Sequence, residues 1–452
     1  MKLWRVAGVL ALIGAEALLY GYSYPFFSLA LEKHGLSTWL IGLNASLAGS
    51  GILIVGPLLP RLIARFGVRM VVTAMFAISL ASFGAILAAD HLIVWFVARF
   101  IMGACFAALW TTTEIWLNGV VDDRHRGRII GASGTLYATC QFIGPLVLGG
   151  VGATGQLPLI VAMVPLAAGV LVALSIRPAE GEVEEEESGD AASFKLALSA
   201  AGGLVVAGFL GGVGETAMQS LLPLYGLAHG YNDAEAARLV AVFSLGEAVL
   251  VAGLGWMADR HGRRITLLLC ALVAALTSFA LPFAIGQGLV AQPVLFLAGG
   301  TVSGIYTLGV VLIGQDFRGH KLAVISTGFA MAYSAGSIVG STPVGYLVDL
   351  FGPEALPIAI GIGFVGLTMF LLRPEKKAEA FGPTDADAPV ESSFDDAPAE
   401  SSVASANEDV PEIAGTPEAR FDLSFLHDLE PLDAEPAMAG NQPRGVVPPA
   451  LG

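Results

Sequence analysis

Runs of about 20 apolar residues, the length an α-helix needs to cross the hydrocarbon core of a bilayer, recur along the first 372 residues of this chain and then stop. Backbone in lipid can satisfy its N–H and C=O groups only in helices or closed barrels, so runs of this length predict an all-α membrane protein. Their boundaries predict twelve transmembrane helices at 4–29, 38–60, 70–89, 92–117, 128–151, 156–176, 196–226, 236–257, 265–286, 290–314, 322–348 and 355–372. The first stretch, Trp4 to Leu31, is too long for a signal-peptide core and lacks a small-residue cleavage site, so it reads as helix 1.

Charge is distributed as this layout requires. The net charge of -15 comes from two segments: residues 374–452 hold 17 acidic and 4 basic residues, and 180–190 hold 7 acidic and none basic, which leaves the rest of the chain positive by 5. With the N-terminus placed in the cytoplasm, inside segments collect 18 Lys and Arg, whereas outside loops hold only Lys33 and Arg238. So strong a positive-inside bias puts both ends of the helical region in the cytoplasm and requires an even number of spans. No clustered basic surface exists for phosphate binding, and nucleic acid is excluded as a partner. Cys105, Cys140 and Cys270 all lie inside apolar runs with no metal-ligand spacing, so they read as small buried hydrophobes.

The two halves echo each other. Glu16 precedes Pro25 in helix 1 as Glu215 precedes Pro223 in helix 7, and the basic loops after helices 2 and 4 match those after helices 8 and 10. A parallel repeat of six helices follows, with an N-terminal bundle over 1–176 and a C-terminal bundle over 196–372. Between them, 177–195 is acidic and without an apolar run, which predicts a solvated cytoplasmic linker. Residues 373–452 have the composition of a disordered acidic cytoplasmic tail. Within the tail, Phe421, Phe425 and Leu429 would share one helical face and could dock on a partner, although incidental apolar residues in such tails are common.

Ionisable residues inside the spans carry the functional information. Arg99 in helix 4 lies near mid-membrane, where a lone cation costs ~2.5–3.5 kcal/mol on insertion scales, so it should face a cavity or pair with a buried glutamate. Four glutamates, Glu16, Glu114, Glu215 and Glu247, stand against that one cation; at most one can be simply ion-paired. The others must be protonated, hydrogen-bonded or bathed by cavity water, as a proton-coupling group is. Glu16, Glu215 and Glu247, with Arg99, are the proton-coupling candidates; Glu114, nearer the cytoplasmic end, divides between gating and structure.

The segment GWMADRHGRR at 255–264 resembles the cytoplasmic signature G-x-x-x-D-R/K-x-G-R/K-R/K of the major facilitator superfamily, matched by Gly255, Asp259, Arg260, Gly262, Arg263 and Arg264. Gly255 should let helices approach, Gly262 should turn a short loop, and Asp259 should pair with arginines or a helix N-terminus. The alternative is that these arginines only anchor the loop to anionic headgroups. At 56–69 the first half keeps Gly56, Arg65, Gly67 and Arg69 but not the aspartate. RFIMGACFA at 99–107 resembles the helix 4 arginine motif of proton-coupled members, with Gly103 and Ala107 as a packing stripe. TEIWLNGVVDDRHRGR at 113–128 resembles the YcaD-like branch through Glu114, Trp116, Leu117, Asn118, Arg126, Gly127 and Arg128, which adds Glu114, Arg126 and Arg128 to the gate. QFIGPLVLGG at 141–150 is similar to the antiporter glycine–proline motif, with a changed spacing after Pro145.

The resemblance implies alternating access about a cavity lined by helices 1, 4, 7 and 10. Candidate cavity residues on those helices, besides the charged ones, are Tyr20, Tyr24, Thr111, Gln219 and Tyr306. Together these readings predict a secondary transporter of a small organic molecule in the bacterial inner membrane, proton-coupled and inclined to efflux. Uptake by proton symport, or a non-transporting sensor that signals through the acidic tail, is the alternative. Walker, nucleophile-elbow and metal-binding motifs are missing, so neither an enzyme nor a cofactor or metal site is expected.

Overall fold

A computed structural model of the protein describes residues 3–122, 124–176, 192–317 and 319–373. Twelve α-helices occupy these residues: α1 Leu3–Lys33, α2 Thr38–Val55, α3 Leu59–Ala88, α4 Leu92–Val120, α5 Arg126–Val151, α6 Leu157–Ser175, α7 Ala192–Ala228, α8 Asp233–His261, α9 Arg263–Ala284, α10 Ala291–Asp316, α11 Gly319–Phe351 and α12 Ala355–Leu371. A single 3-10 turn, Gly56–Leu58, joins α2 to α3, and no strand occurs among the described residues. Nine segments there are long and apolar enough to cross a bilayer, one being the continuous stretch Thr38–Ala88 that holds both α2 and α3. Most of the acidic linker and nearly all of the tail, with Phe421, Phe425 and Leu429, lie outside the described residues.

The helices differ from the sequence reading mainly at the end of the bundle where α1 begins, called here the near end. Helix α2 stops at Val55, short of residue 60, because Pro57 and Pro60 remove N–H donors around the 3-10 turn. Helix α3 starts early at Leu59 and is broken at Gly67, whose φ of 76° only glycine adopts freely. Helix α7 begins at Ala192, inside the expected linker, and breaks at Ala201.

Two hydrophobic cores form. In the first, α1 packs on α5 and α6, α2 on α4, and α3 on α4 and α6, around residues such as Leu12, Phe76, Leu109 and Leu166. In the second, α7 packs on α11 and α12, α8 on α10, and α9 on α10 and α12, around Leu222, Phe243, Ile305 and Phe364. Helices come close where glycine leaves room. A Cβ on Gly103 of α4 would lie 2.0 Å from the Ala48 carbonyl oxygen of α2, and one on Gly299 of α10 would lie 1.9 Å from that of Phe243 on α8.

These contacts fix the register of the repeat. Gly51 corresponds to Gly246, Gly103 to Gly299, and Gly144 to Gly340, a constant offset of 195 or 196 residues. The near-end loops repeat as well. Gly67 and Gly262 have φ of 76° and 94°, and the arginine two residues after each donates to carbonyls closing the last helix of its own half. Arg69 bonds to the Ala173 oxygen at 3.3 Å and to that of Leu174, and Arg264 to the Arg373 oxygen at 3.4 Å. At this offset Glu215 stands opposite Tyr20 rather than Glu16. The glutamate-to-proline echo seen in the sequence is one helical turn out of register.

Across the halves, α2 meets α11 and α5 meets α8. At the far end these pairs are tight. A Cβ on Gly42 would lie 2.3 Å from the Ser341 oxygen, Ser46 and Thr342 hydroxyls are 2.7 Å apart, and Lys33 of α1 pairs with Asp233 of α8 at 3.0 Å. At the near end the halves part: no described residue of α5 before Gly144 is buried.

Candidate functional site

Between the halves lies a cavity of about 700 Å³. Its walls come from α1, α2, α4, α5, α7, α8, α10 and α11, and it reaches toward the near end past Ile130, Gly131, Val251 and Thr307. The expected lining by helices 1, 4, 7 and 10 is therefore half of the wall, because the glycine-mediated packing of α2 on α4 and α8 on α10 brings the neighbouring helices to the surface of the cavity.

Three of the four intramembrane glutamates and the arginine line it: Glu16, Glu215, Glu247 and Arg99. Arg99 is 1% exposed and has no carboxylate partner among the described residues. Its Nη1 donates to Ser23 Oγ at 3.0 Å, and its guanidinium lies over the Tyr24 and Phe27 rings at 4.4 and 4.7 Å. The weakly hydrated planar guanidinium tolerates this aromatic seat where an ammonium would not. Arg99 forms no ion pair with a glutamate among the described residues.

Each carboxyl has different company. Glu215 accepts from the Tyr333 hydroxyl and, at 3.4 Å, from Gln219 Nε2 four residues on. Glu247 accepts from Gln141 Nε2 at 3.1 Å, a bond from α8 to α5 that crosses between the halves, while its Oε1 has no hydrogen-bond partner. Glu16 is 2% exposed, and its Oε2 is likewise buried without a partner. Unpartnered buried oxygens of this kind are costly and mark a place where a proton or a ligand belongs.

Tyr20, Tyr24 and Tyr306 line the cavity; Thr111 and Gln219 do not. The Thr111 hydroxyl is turned onto the Ala107 carbonyl of its own helix at 3.2 Å, and Gln219 is buried behind Glu215. Missed by sequence reasoning were Tyr137 and Gln141 on α5, Trp110 on α4 and Tyr333 on α11. Their signal is the repeat itself, since Trp110 and Tyr137 correspond to Tyr306 and Tyr333 at the 196-residue offset. The rings pair the same way, Trp110 on Tyr137 at 4.5 Å and Tyr306 on Tyr333 at 4.6 Å.

The gate candidates Gly255, Asp259, Arg260, Gly262, Arg263, Arg264, Glu114, Arg126 and Arg128 all sit toward the near end of α4, α5, α8 and α9. Asp259 pairs with Arg263 at 3.2 Å, Arg260 stacks on Trp256 at 5.5 Å, and Gly262 makes the turn. Gly255 does not mediate a helix approach: a Cβ there would meet nothing within 4 Å, because the halves stand apart at this end.

The family model of the Major Facilitator Superfamily matches residues 9–329. The chain belongs to this superfamily. Among curated relatives of this superfamily member, "Uncharacterized MFS-type transporter YfkF" of Bacillus subtilis (strain 168) is 24% identical over 379 residues, 82% of this chain and 95% of the relative. "Uncharacterized MFS-type transporter YcaD" of Escherichia coli (strain K12 / DH10B) is 26% identical over 375 residues, 81% of this chain and 94% of the relative. Of solved structures, that of the nucleoside transporter NupG superposes with a TM-score of 0.71 at 13% identity, covering 83% of this chain and 100% of NupG. A D-xylose-proton symporter superposes with a TM-score of 0.64 at 16% identity, covering 82% and 98%. At these identities the structures establish the shared fold. Superfamily, bacterial relatives and apolar segments together make the protein a multi-pass transporter of the bacterial inner membrane, not an enzyme.

Proposed function

We propose that this protein is a proton-coupled secondary transporter that moves a small organic molecule by alternating access. In this reading twelve helices span the membrane, both termini are cytoplasmic, and bundles 1–176 and 196–372 rock about the cavity, joined by the linker 177–195 and followed by the tail 373–452. The near end is the cytoplasmic one, and the conformation described is open inward. The observation that carries the reading is a cavity between two pseudo-equivalent bundles, closed at one end and parted at the other, lined by three carboxyls. Carboxyls that exchange a proton for a ligand bind differently in the two states and so bias the equilibrium between them.

Glu16, Glu215 and Glu247 are the proton carriers in this scheme, Arg99 a fixed cation beside them, and the Asp259 loop with Glu114, Arg126 and Arg128 the inner gate. The direction proposed is efflux, on the resemblance of Gln141–Gly150 to the antiporter motif; Gly144 in that motif packs α5 against α1, where a Cβ would lie 2.5 Å from the Leu18 oxygen. The test is substrate-induced proton movement in proteoliposomes, followed with a pH-sensitive dye across a metabolite and drug panel. Wild type should give a signal that Glu16→Gln or Glu215→Gln abolishes. Movement unchanged in both variants would remove these two carboxyls from the scheme and leave Glu247.

A further inference from the structure

We infer that the cavity selects an organic cation with aryl surface, held between the two repeat-related aromatic pairs with its charge at Glu16 and Glu247; this rests on the transporter reading and names its substrate class.

Four features support it independently of the family. The aromatic pairs Trp110–Tyr137 and Tyr306–Tyr333 occupy equivalent places on α4–α5 and α10–α11, so the cavity has one aromatic wall from each half. Trp110 and Tyr306 remain 42% and 38% exposed, although both line an interior space. Rings presented this way offer their negative faces to a cation and their area to an aryl group. The charge of the lining is acidic: three carboxyls stand against Arg99, whose Nη1 donates to Ser23 and whose guanidinium lies over the Tyr24 and Phe27 rings, while its Nε and Nη2 are buried without a hydrogen-bond partner. Finally, Glu16 Oε2 and Glu247 Oε1 are buried and lack partners, while both residues line the cavity. A cation entering here supplies the missing counter-charge, whereas an anion of the same shape meets carboxylates.

Walls contributed by both halves also say how such a ligand would be felt. It touches α4–α5 and α10–α11 together only while the halves hold their present separation. Its binding therefore reports on the state of the transporter as well as on the site.

Two ions of matched size and opposite charge, tetraphenylphosphonium and tetraphenylborate, separate the charge term from the aryl term. Equilibrium dialysis against the purified full-length chain in detergent should show saturable binding of the phosphonium and at least about 10-fold weaker binding of the borate. Glu16→Gln combined with Glu247→Gln should remove that preference, and Trp110→Ala or Tyr306→Ala should weaken the phosphonium by about 10-fold. Equal affinity for the two ions in the wild type, or preference for the borate, overturns the inference without recourse to any variant. Proton movement with a neutral substrate but no cation preference would overturn it and leave the transporter reading standing. Cation preference without proton movement under any substrate would leave the inference standing and overturn the proposed proton coupling.

Discussion

Asp349, near the end of α11, gives the sharpest handle on which state the transporter occupies. Helix α2 begins at Thr38, and its N-cap residue, Ser37, makes no side-chain cap. The cap comes instead from the other half: the Asp349 carboxylate accepts from Thr38 N and Trp39 N, both at 2.9 Å. Two of the N–H groups that every helix leaves unpaired are thus satisfied only while α2 and α11 are together at the far end. Losing an N-cap costs about 0.5–2 kcal/mol and a carboxylate at a helix N-terminus contributes about 0.3–1 kcal/mol. Because the group is exposed and water can replace it, roughly 1 kcal/mol is the appropriate figure for Asp349→Ala.

That energy belongs to one state. Parting of the halves at the far end abandons the cap, so its removal should shift the open-to-closed ratio at that end by about 5-fold. Distances between spin labels at Glu32→Cys and Gln287→Cys, in a background without the three native cysteines, would report the shift as growth of a longer-distance population. Thermal stability should fall by no more than the same ~1 kcal/mol. Glu32 is exposed just beyond the buried part of α1, so the label does not disturb packing. A distance distribution unchanged in a folded Asp349→Ala protein would refute the reasoning.

Two further outcomes follow from the packing and the cavity. Gly103→Ala and Gly246→Ala should lower thermal stability by about 1–3 kcal/mol each, because the added methyl meets backbone oxygen at 2.0 and 1.9 Å; Gly255→Ala, with open space around it, should leave stability unchanged in the same thermal assay. Arg99→Lys should abolish transport nearly as fully as Arg99→Ala in the proteoliposome assay, since a hydrated ammonium cannot take the seat between the Tyr24 and Phe27 rings; full activity of the lysine variant would show that charge alone suffices.

The helical layout was legible because a bilayer imposes a length on every span, and mid-membrane glutamates stood out because lipid penalises them. Cys105 and Cys270 are buried as read, with Cys140 half-buried. Aromatic and amide residues gave no such warning. Tyr137, Gln141 and Tyr333 are tolerated in membrane helices for many reasons, and only the register of the repeat, set by glycine contacts that sequence does not reveal, picks them out. The same contacts show why Glu16 and Glu215 misled: identical side chains one turn apart look like a repeat until the backbone contacts around them are compared. Thr111 could not be read either, since its hydroxyl chose its own helix over the cavity.

The repeat divides the molecule's features into two sets with different work to do. Glycine contacts, near-end arginine caps and aromatic pairs recur in both halves, so they hold each bundle together and shape the cavity evenly. The charges of the cavity do not recur. At the 195- or 196-residue offset Glu16 faces Gly211, Glu247 corresponds to Ile52, and Arg99 to Leu295. Contacts that close the far end are individually small: the Asp349 cap, the Ser46–Thr342 hydroxyl pair, and the Lys33–Asp233 bridge, which at 43% and 24% exposure is worth about 0.2–1 kcal/mol. A few such contacts hold the closed end by only a few kcal/mol, an amount that one ligand with 10²- to 10³-fold preference, roughly 3–4 kcal/mol, can overturn. Stronger latches would trap one state whatever the cavity bound. Weak contacts at the closed end leave the decision to the charges of the cavity, which is where a proton and a cation would compete.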